Sequence, residues 1–266
     1  MSRAAELFDV RDARVVVTGA ASGLGFAMAE VMADGGARVT LADVDSERLD
    51  EVSGELERRG ADVRSAQLDV SDPDQVRCVF DEVVEAQGGV DVVFANAGIS
   101  LEPGVVDAQG GLANLDRDTW DTVLGVNLDG VLFTMREAAG HMKRRGSGRI
   151  VVTTSTAGFG TDPMVGYSYS ATKAAVIVIV RQAALELARH RVHVNAIAPG
   201  PFRTRIGGAA APIPPEAWED IVALGRMADP EELKGVALLL ASPASSFMTG
   251  AVVPVDGGQL LMSHGV

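Results

Sequence analysis

Residues 14–45 read RVVVTGAASGLGFAMAEVMADGGARVTLADVD, and this stretch decides the fold. The run from Arg14 to Thr18 is rich in β-branched residues, and so is the run from Arg38 to Ala42, so both are predicted strands. A glycine-containing turn between them leads into an amphipathic segment typical of a helix. Strand, helix and strand at this spacing predict a βαβ unit with two parallel strands.

The same alternation continues to the end of the chain. Further strands are predicted at Asp62 to Leu68, Val90 to Ala95, Arg149 to Thr154, Val192 to Ala198 and Ala251 to Val255. Repeated βα units predict an α/β fold, with a Rossmann-like doubly wound parallel sheet of about seven strands and helices on both faces. Because no long polar tether interrupts the pattern, residues 1–266 are expected to form a single domain.

Composition and charge argue against several functional classes. Of the 266 residues, 47% are hydrophobic, and the formal net charge of -13 repels nucleic acid backbones and anionic membranes. The basic cluster Lys143 to Arg145 is short and is typical of a helix end. No signal pattern, long apolar run or pair of cysteines occurs, and Cys78 is the only cysteine. A cytoplasmic protein without nucleic acid or membrane partners is therefore expected.

Two connections are longer than the others, Ser100 to Leu115 and Pro201 to Asp229. Both follow strand ends, and ligands of open α/β sheets bind beyond the carboxyl ends of the strands. Long loops in compact domains are usually functional or disordered, so residues 201–229 are expected to form a substrate lid. A plain surface loop is the alternative, and the role of the first connection stays open.

The turn TGAASGLG, Thr18 to Gly25, indicates a phosphate site. Glycines at 19, 23 and 25 let a pyrophosphate approach the backbone, and the helix start supplies free N–H groups. Asp43 lies 24 positions beyond Gly19, about where an acidic residue accepts hydrogen bonds from an adenosine ribose. A carboxylate there would repel the extra phosphate of NADP, and Ala20 and Ala21 offer no positive charge, so NAD is the expected cofactor.

The chain resembles the short-chain dehydrogenases/reductases of the compact, single-domain type over nearly its whole length. The resemblance rests on TGAASGLG from Thr18, NAG from Asn96, VNLDG around Asn127, STAG from Ser155, YSATK from Tyr169, PGPFRT from Pro199 and VDGG from Val255. It implies a single dinucleotide-binding and catalytic domain in which a hydride moves between a nicotinamide and an alcohol or ketone carbon.

The spacing of Tyr169 and Lys173 provides a physical case for catalysis. Four positions apart on a helix, the two side chains share a face, so an ammonium lies near the phenol. A nearby positive charge favours phenolate and is expected to lower the phenol pKa from about 10 toward neutrality. Tyr169 would then be the acid/base, and Ser155 at a strand end would hold the substrate oxygen.

The resemblance carries further roles over, residue by residue. It implies that Asn127 holds a water relaying protons to Lys173, although a satisfied buried amide is an equally compatible interpretation. It assigns cofactor binding to Gly19, Ser22, Gly23, Leu24, Gly25, Asp43, Val44, Asp69, Val70, Asn96, Ala97, Gly98, Tyr169, Lys173, Pro199, Gly200 and Thr204. It also implies a homotetramer.

The sequence departs from the family pattern at two points. Ser155 and Tyr169 are 14 positions apart, one more than is usual, and Ala95 stands where many members have asparagine. Tyr167 has Ala171 rather than lysine four positions on, so it is the poorer acid/base and is expected to line the substrate pocket.

The function predicted from the sequence is an NAD-dependent oxidoreductase acting on a secondary alcohol or ketone. A non-catalytic dinucleotide sensor and a lyase or epimerase on the same fold are the alternatives. No metal is expected, since only His190 and His193 among the four histidines are close in sequence. The substrate itself does not follow from the sequence. An apolar pocket is favoured because the predicted lid carries the apolar residues Pro212, Ile213, Trp218 and Ile221.

Overall fold

The computed structural model describes residues 2–204, 206 and 220–262, and its strands lie in one parallel sheet of seven. The order across the sheet is β3-β2-β1-β4-β5-β6-β7, which confirms the doubly wound α/β prediction. The strands are β1 Arg14–Thr18, β2 Arg38–Asp43, β3 Val63–Gln67, β4 Val92–Ala95, β5 Gly148–Thr153, β6 Val192–Pro199 and β7 Val252–Val255.

Helices connect the strands and cover both faces of the sheet. They are α1 Arg3–Leu7, α2 Gly23–Asp34, α3 Ser46–Arg58, α4 Pro73–Gln87, α5 Arg117–Leu124, α6 Gly130–Arg145, α7 Tyr167–Leu187, α8 Lys234–Ala241 and α9 Gln259–Met262. Their ends follow from local sequence. For example, the Asp72 carboxylate accepts hydrogen bonds from first-turn amides of α4, and Gly88 ends that helix in the left-handed conformation.

Two apolar layers form the core, one on each face of the sheet. Helices α2 and α8 pack on one face around Met28 and Leu240, and helices α4, α6 and α7 pack on the other around Phe80 and Val176. Central strands such as β4 are buried along their whole length, which explains their continuous apolar sequence.

The strand order changes direction between β1 and β4, and this creates a crevice at the carboxyl edge of the sheet. The glycine turn follows β1, and residues 96–98 follow β4, so both border this crevice. The topology therefore brings two segments of the predicted site together at the switch point.

Three local features differ from, or add to, the sequence prediction. Residues Gly125–Asp129 form a π-helical turn between α5 and α6, which no sequence pattern indicated. Cys78, whose apolar neighbours Val76, Val79 and Phe80 favour a packed position on a helix, lies on α4 but is exposed. No helix within the described ranges has both the length and the apolar character needed to span a bilayer.

Candidate active site

The glycine turn after β1 is shaped by close backbone approach. A Cβ atom at Gly25 would lie 2.0 Å from the Gly19 carbonyl oxygen, so only glycine lets α2 begin this close to the turn. Ser22 precedes the helix in an extended conformation, and its side chain makes no capping hydrogen bond. The first amides of α2 are thus left to a ligand, as a pyrophosphate site requires.

Asn96 braces this turn from the neighbouring strand. Its side-chain amide donates to the carbonyl oxygens of Thr18 at 3.1 Å and Gly19 at 3.3 Å, and its Oδ1 accepts from the Thr153 hydroxyl at 2.9 Å. The Thr18 hydroxyl in turn accepts from the amides of Asn96 and Ala97. The Asn96 side chain therefore ties the ends of β1, β4 and β5 together, so main-chain atoms of residues 96–98 are left to line the cleft.

Asp43 ends β2 with its carboxylate fixed by two main-chain donors. Oδ2 accepts from the Ala21 amide at 2.9 Å, and Oδ1 accepts from the Asp45 amide at 3.1 Å. Each oxygen has a further lone pair, so the carboxylate retains the capacity to accept ribose hydroxyls. Val44, the next residue, is 63% exposed at the same edge.

Asp69 and Val70, which the resemblance assigns to the adenine side of the cofactor, have different environments. The Asp69 carboxylate accepts from the amide and hydroxyl of Ser71, at 2.9 and 2.7 Å, and so fixes the turn after β3. Val70 is buried, and a Cβ atom at Gly130 would lie 2.6 Å from its Cγ2. Val70 therefore packs against the start of α6, and Asp69 is the more accessible of the two.

The catalytic candidates come together at the end of β5. Tyr169 and Ser155 are each 8% exposed, and Lys173 is 1% exposed. The Lys173 ammonium lies 5.5 Å from the centroid of the Tyr169 ring and donates to the Thr153 carbonyl at 3.1 Å. Helix α7 supplies both side chains from one face, as the four-residue spacing predicted.

The expected lowering of the Tyr169 pKa was wrong. Burial raises the pKa of the phenol, interaction with the Ser155 hydroxyl lowers it, and the charge of Asp162 raises it. Burial also lowers the pKa of Lys173, from 10.5 to about 8. Desolvation dominates because both side chains are buried in the folded protein, a contribution that helix spacing alone does not reveal.

Asn127 lies fully buried in the π-helical turn. Its Oδ1 accepts from the Ile99 amide and its Nδ2 donates to the Ile99 carbonyl, both at 2.8 Å. The amide is thus satisfied by the main chain without a water. A Cβ atom at Gly98 would lie 3.3 Å from both Asn127 Oδ1 and Lys173 Nζ, so the two side chains share one small region.

The segment after β6 is held by the C-terminal part of the chain. The Gly200 amide donates to the Val255 carbonyl at 3.0 Å, and a Cβ atom at Gly200 would lie 2.8 Å from the Asp256 Cα. Pro199 ends the strand, and Thr204 reaches over the glycine turn at Gly23. A cavity of about 360 Å³ lies there, beside the start of α2, with Arg48 and Arg203 in its lining.

The connection from Ser100 to Leu115 folds against the start of α7. The Glu102 carboxylate accepts from the Ser168 amide at 3.0 Å and from its hydroxyl at 2.6 Å, so it caps the helix that carries Tyr169. Tyr167 lines a cavity of about 140 Å³ together with Glu102 and Leu101. Its place in a substrate pocket stays a prediction.

The second long connection is described only in part. Pro212, Ile213 and Trp218 lie outside the described residues, and Ile221 is half-buried. The two described ends meet, because the Arg203 amide donates to the Ala228 carbonyl at 2.9 Å. The described beginning of this connection therefore lies beside the glycine turn. That the connection closes over the site as a lid stays a prediction.

Sequence reasoning did not identify Glu102, Thr156, Asp162 and Gln259. The Gln259 Oε1 accepts from the Thr156 hydroxyl at 2.9 Å, although the two residues are 103 positions apart. No local pattern marks these residues, since each owes its role to a partner on another element. The one available signal was the extra residue between Ser155 and Tyr169, because Asp162 lies in the same interval of sequence.

Comparisons with known proteins agree with this geometry. A family model described as Enoyl-(Acyl carrier protein) reductase matches residues 19–259. A cis-4-hydroxycyclohexanecarboxylate dehydrogenase from Sinomonas cyclohexanicum is 39% identical over 91% of this chain and 94% of its own. A meso-2,3-butanediol dehydrogenase from Serratia marcescens is 36% identical over 92% of this chain and 93% of its own.

Solved structures give the same result. The crystal structure of a short-chain type dehydrogenase/reductase from Mycobacterium marinum superposes with a TM-score of 0.88 and 36% identity, covering 96% of this chain and 98% of that one. The chain belongs to the short-chain dehydrogenase/reductase family, a family of oxidoreductases that bind a nicotinamide dinucleotide and act on small molecules. The resemblance seen in the sequence is thereby confirmed.

Proposed function

We propose that this protein is an NAD-preferring oxidoreductase that interconverts a secondary alcohol and a ketone. The observation that carries the proposal is the burial of Tyr169, Lys173 and Ser155 together, at the sheet edge that also bears the glycine turn. Burying a phenol and an ammonium side by side costs folding free energy. Ionisable groups held in the protein at such a cost are candidates for catalytic residues.

Tyr169 moves the proton in this proposal. In alcohol oxidation its phenolate takes the hydroxyl proton, and in ketone reduction its phenol returns one to the new alkoxide. Ser155 donates to the same oxygen and fixes its position, since the Ser155 hydroxyl is rigidly placed by accepting from the Ala157 amide at 3.2 Å. Lys173 provides the positive charge that favours phenolate.

The pKa directions give the reaction a pH dependence. Oxidation needs the phenolate, and burial raises the pKa of Tyr169 in the cofactor-free protein. The kcat/KM for alcohol oxidation should therefore rise with pH through the alkaline range, whereas ketone reduction should be fastest near neutral pH. The dinucleotide, when bound, supplies the hydride acceptor or donor.

Residues at the carboxyl edge would hold the dinucleotide. The amides at the start of α2, around Ser22, Gly23, Leu24 and Gly25, fit a pyrophosphate, because no side chain of this turn occupies them. Asp43 fits the adenosine ribose, and Val44, Asp69 and Val70 would border the adenine. Gly19, Asn96, Ala97 and Gly98 shape the floor of the cleft, and Pro199, Gly200, Thr204, Tyr169 and Lys173 would border the nicotinamide end.

NAD is preferred in this proposal because Asp43 places a fixed negative charge where NADP carries its extra phosphate. The two arginines that line the cavity beside the start of α2 are already paired. Arg203 lies 2.9 Å from Asp229, and Arg48 lies 3.7 Å from Glu51. Replacing Asp43 with serine should raise the ratio of NADP to NAD efficiency by about tenfold or more, since Arg48 lines the adjoining cavity.

Asn127 is proposed to take part in proton relay with Lys173, because its Oδ1 lies in the same small region as Nζ. Its amide retains one free hydrogen-bonding position on each polar atom after pairing with Ile99. A water held there would connect Lys173 with solvent.

The proposal includes a homotetramer and a cytoplasmic location. Large apolar side chains are exposed on the helices beside the sheet, including Val178 at 63% and Leu185 at 77% on α7. Exposed apolar residues clustered on long helices favour association with other copies. The dinucleotide must be regenerated by other enzymes after each turnover, which favours a cytoplasmic location for this protein. Light scattering of the purified protein would give the oligomeric state directly.

The experiment that tests the function measures nicotinamide fluorescence and absorbance with NAD(H) and NADP(H) separately. Binding is measured first, and turnover is then measured against cyclic, steroidal, sugar and β-ketoacyl alcohols and ketones. Turnover with NADH or NAD supports the proposal. Binding without turnover of any compound would indicate a sensor or a lyase instead, and failure to bind either dinucleotide would refute the proposal entirely.

A further inference from the structure

One charged side chain in the loop that follows Ser155 has no role in the reaction described above. Asp162 lies in the loop between Ser155 and the start of α7, and it is only partly exposed. We propose that Asp162 determines specificity, selecting uncharged, hydroxyl-bearing substrates and rejecting those with a carboxylate near the reacting carbon. This inference rests on the proposed alcohol–ketone function.

The position of Asp162 is fixed from two sides. Its Oδ1 accepts from the Met164 amide at 2.9 Å, and its Oδ2 lies 3.5 Å from Nε2 of Gln259. Gln259 is itself buried and accepts from the hydroxyl of Thr156, the residue that follows Ser155. The carboxylate is therefore held relative to Ser155 by a chain of contacts rather than turning freely into solvent.

The negative charge of Asp162 acts on the catalytic oxygen. Asp162 is one of the groups that raise the pKa of Tyr169, so its charge is felt at the phenol. Lys173 and Ser155 face Tyr169 as well, and both are engaged with neighbouring groups. No Lys, Arg or His nitrogen in the described ranges pairs with Asp162, so its charge is left to act on whatever binds against Tyr169.

A substrate must place its hydroxyl or carbonyl oxygen at Tyr169 and Ser155, and the rest of the molecule then lies beside this loop. The Asp162 Oδ2 can accept a hydrogen bond from a second hydroxyl, whereas a substrate carboxylate there meets a like charge. Two such charges several ångströms apart at the partly exposed rim of a protein disfavour binding by about tenfold. Relatives of this chain are named for a diol and for a carboxylate, so the family does not decide the question.

The test compares a hydroxycyclohexane carboxylate with the matching carboxamide, which differ in charge and hardly in shape. The variant Asp162→Asn keeps an oxygen for the Met164 amide while removing the charge. Glu82→Gln, on the exposed face of α4, is the control for loss of one negative charge away from the site. All three proteins are assayed by kcat/KM, or by competitive inhibition constants against the best substrate found.

The wild type and Glu82→Gln should favour the carboxamide by about tenfold, and Asp162→Asn should lose most of that preference by using the carboxylate better. Added salt should narrow the wild-type preference and leave that of Asp162→Asn unchanged. The pH profile for a neutral alcohol should also move to lower pH in Asp162→Asn, a change that a merely structural role would not cause.

An unchanged preference in Asp162→Asn, or a wild type that favours the carboxylate, would overturn the inference while the proposed function stands. Absence of turnover with every alcohol and ketone, in wild-type protein that binds the dinucleotide, would instead count against the proposed function. The two failures are therefore distinguishable in the same set of assays.

Discussion

Replacing Lys173 with methionine should abolish turnover and, at neutral pH, stabilise the cofactor-free protein. The wild-type lysine is fully buried, and burial lowers its pKa from 10.5 to about 8. An unfolded chain keeps this proton up to about pH 10.5, whereas the folded chain releases it near pH 8. At pH 7 the folded protein therefore holds a buried ammonium whose desolvation costs about 3 kcal/mol.

The pH dependence is the decisive quantity. Between pH 8 and 10.5 the unfolded state binds more protons than the folded state, so the lysine's destabilising effect on the wild type fades as pH rises. Methionine is similar in length and carries no charge, but it cannot donate to the Thr153 carbonyl. The loss of this hydrogen bond lowers the stability of the variant by about 1 kcal/mol. The loss is nearly the same at both pH values, because the neutral lysine amine of the wild type would still donate.

The assay is urea unfolding of wild type and Lys173→Met at pH 7 and pH 10, at equal protein concentration because association would shift the midpoints. The free energy of unfolding of the variant relative to wild type should fall by about 2 to 3 kcal/mol between the two pH values. Lys143→Met, on the surface of α6, is the control for removing a lysine. A relative stability of Lys173→Met that does not change with pH would refute the reasoning.

Three further predictions concern the site. Tyr169→Phe should retain dinucleotide binding, measured by fluorescence titration, and lose at least about 100-fold in kcat, measured by steady-state turnover. Near-normal rates would exclude Tyr169 as the acid/base. Asn96→Ala should lower the free energy of unfolding by about 2 kcal/mol and weaken dinucleotide binding, since the carbonyl of Gly19 loses its donor. Unchanged dinucleotide binding would contradict the bracing role of Asn96. Glu102→Ala should raise KM more than it lowers kcat and speed proteolysis within residues 100–115, and Glu102→Gln should restore much of both by accepting from Ser168.

Much of the fold and several site residues were predictable from local patterns. The alternation of β-branched runs with helical segments predicted the strands to within a residue or two, because strand burial on both faces leaves a continuous apolar signal. The glycine turn and Asp43 were predictable since they lie within one βαβ unit. Tyr169 and Lys173 were found together because four residues on a helix always share a face.

Other features depend on contacts between distant parts of the chain. Glu102 caps α7 across 66 positions, and Gln259 reaches Thr156 across 103. Such pairs leave no periodic trace, because each partner is an ordinary polar residue within its own segment. The proposed role of Asp162 has the same origin, as the loop that carries it takes its shape from these long-range hydrogen bonds.

By itself, the sequence determined the α/β class and indicated the dinucleotide turn and the proposed acid/base pair, since all three follow from short-range spacing and residue chemistry. Only the tertiary structure decided the strand order, the bracing of the turn by Asn96 and the direction of the Tyr169 pKa. The phenol pKa depends on how much solvent the surrounding elements exclude, and burial of Tyr169 outweighs the lowering effect of the hydrogen bond with Ser155. Solvent exclusion is a property of the assembled fold and not of any one segment.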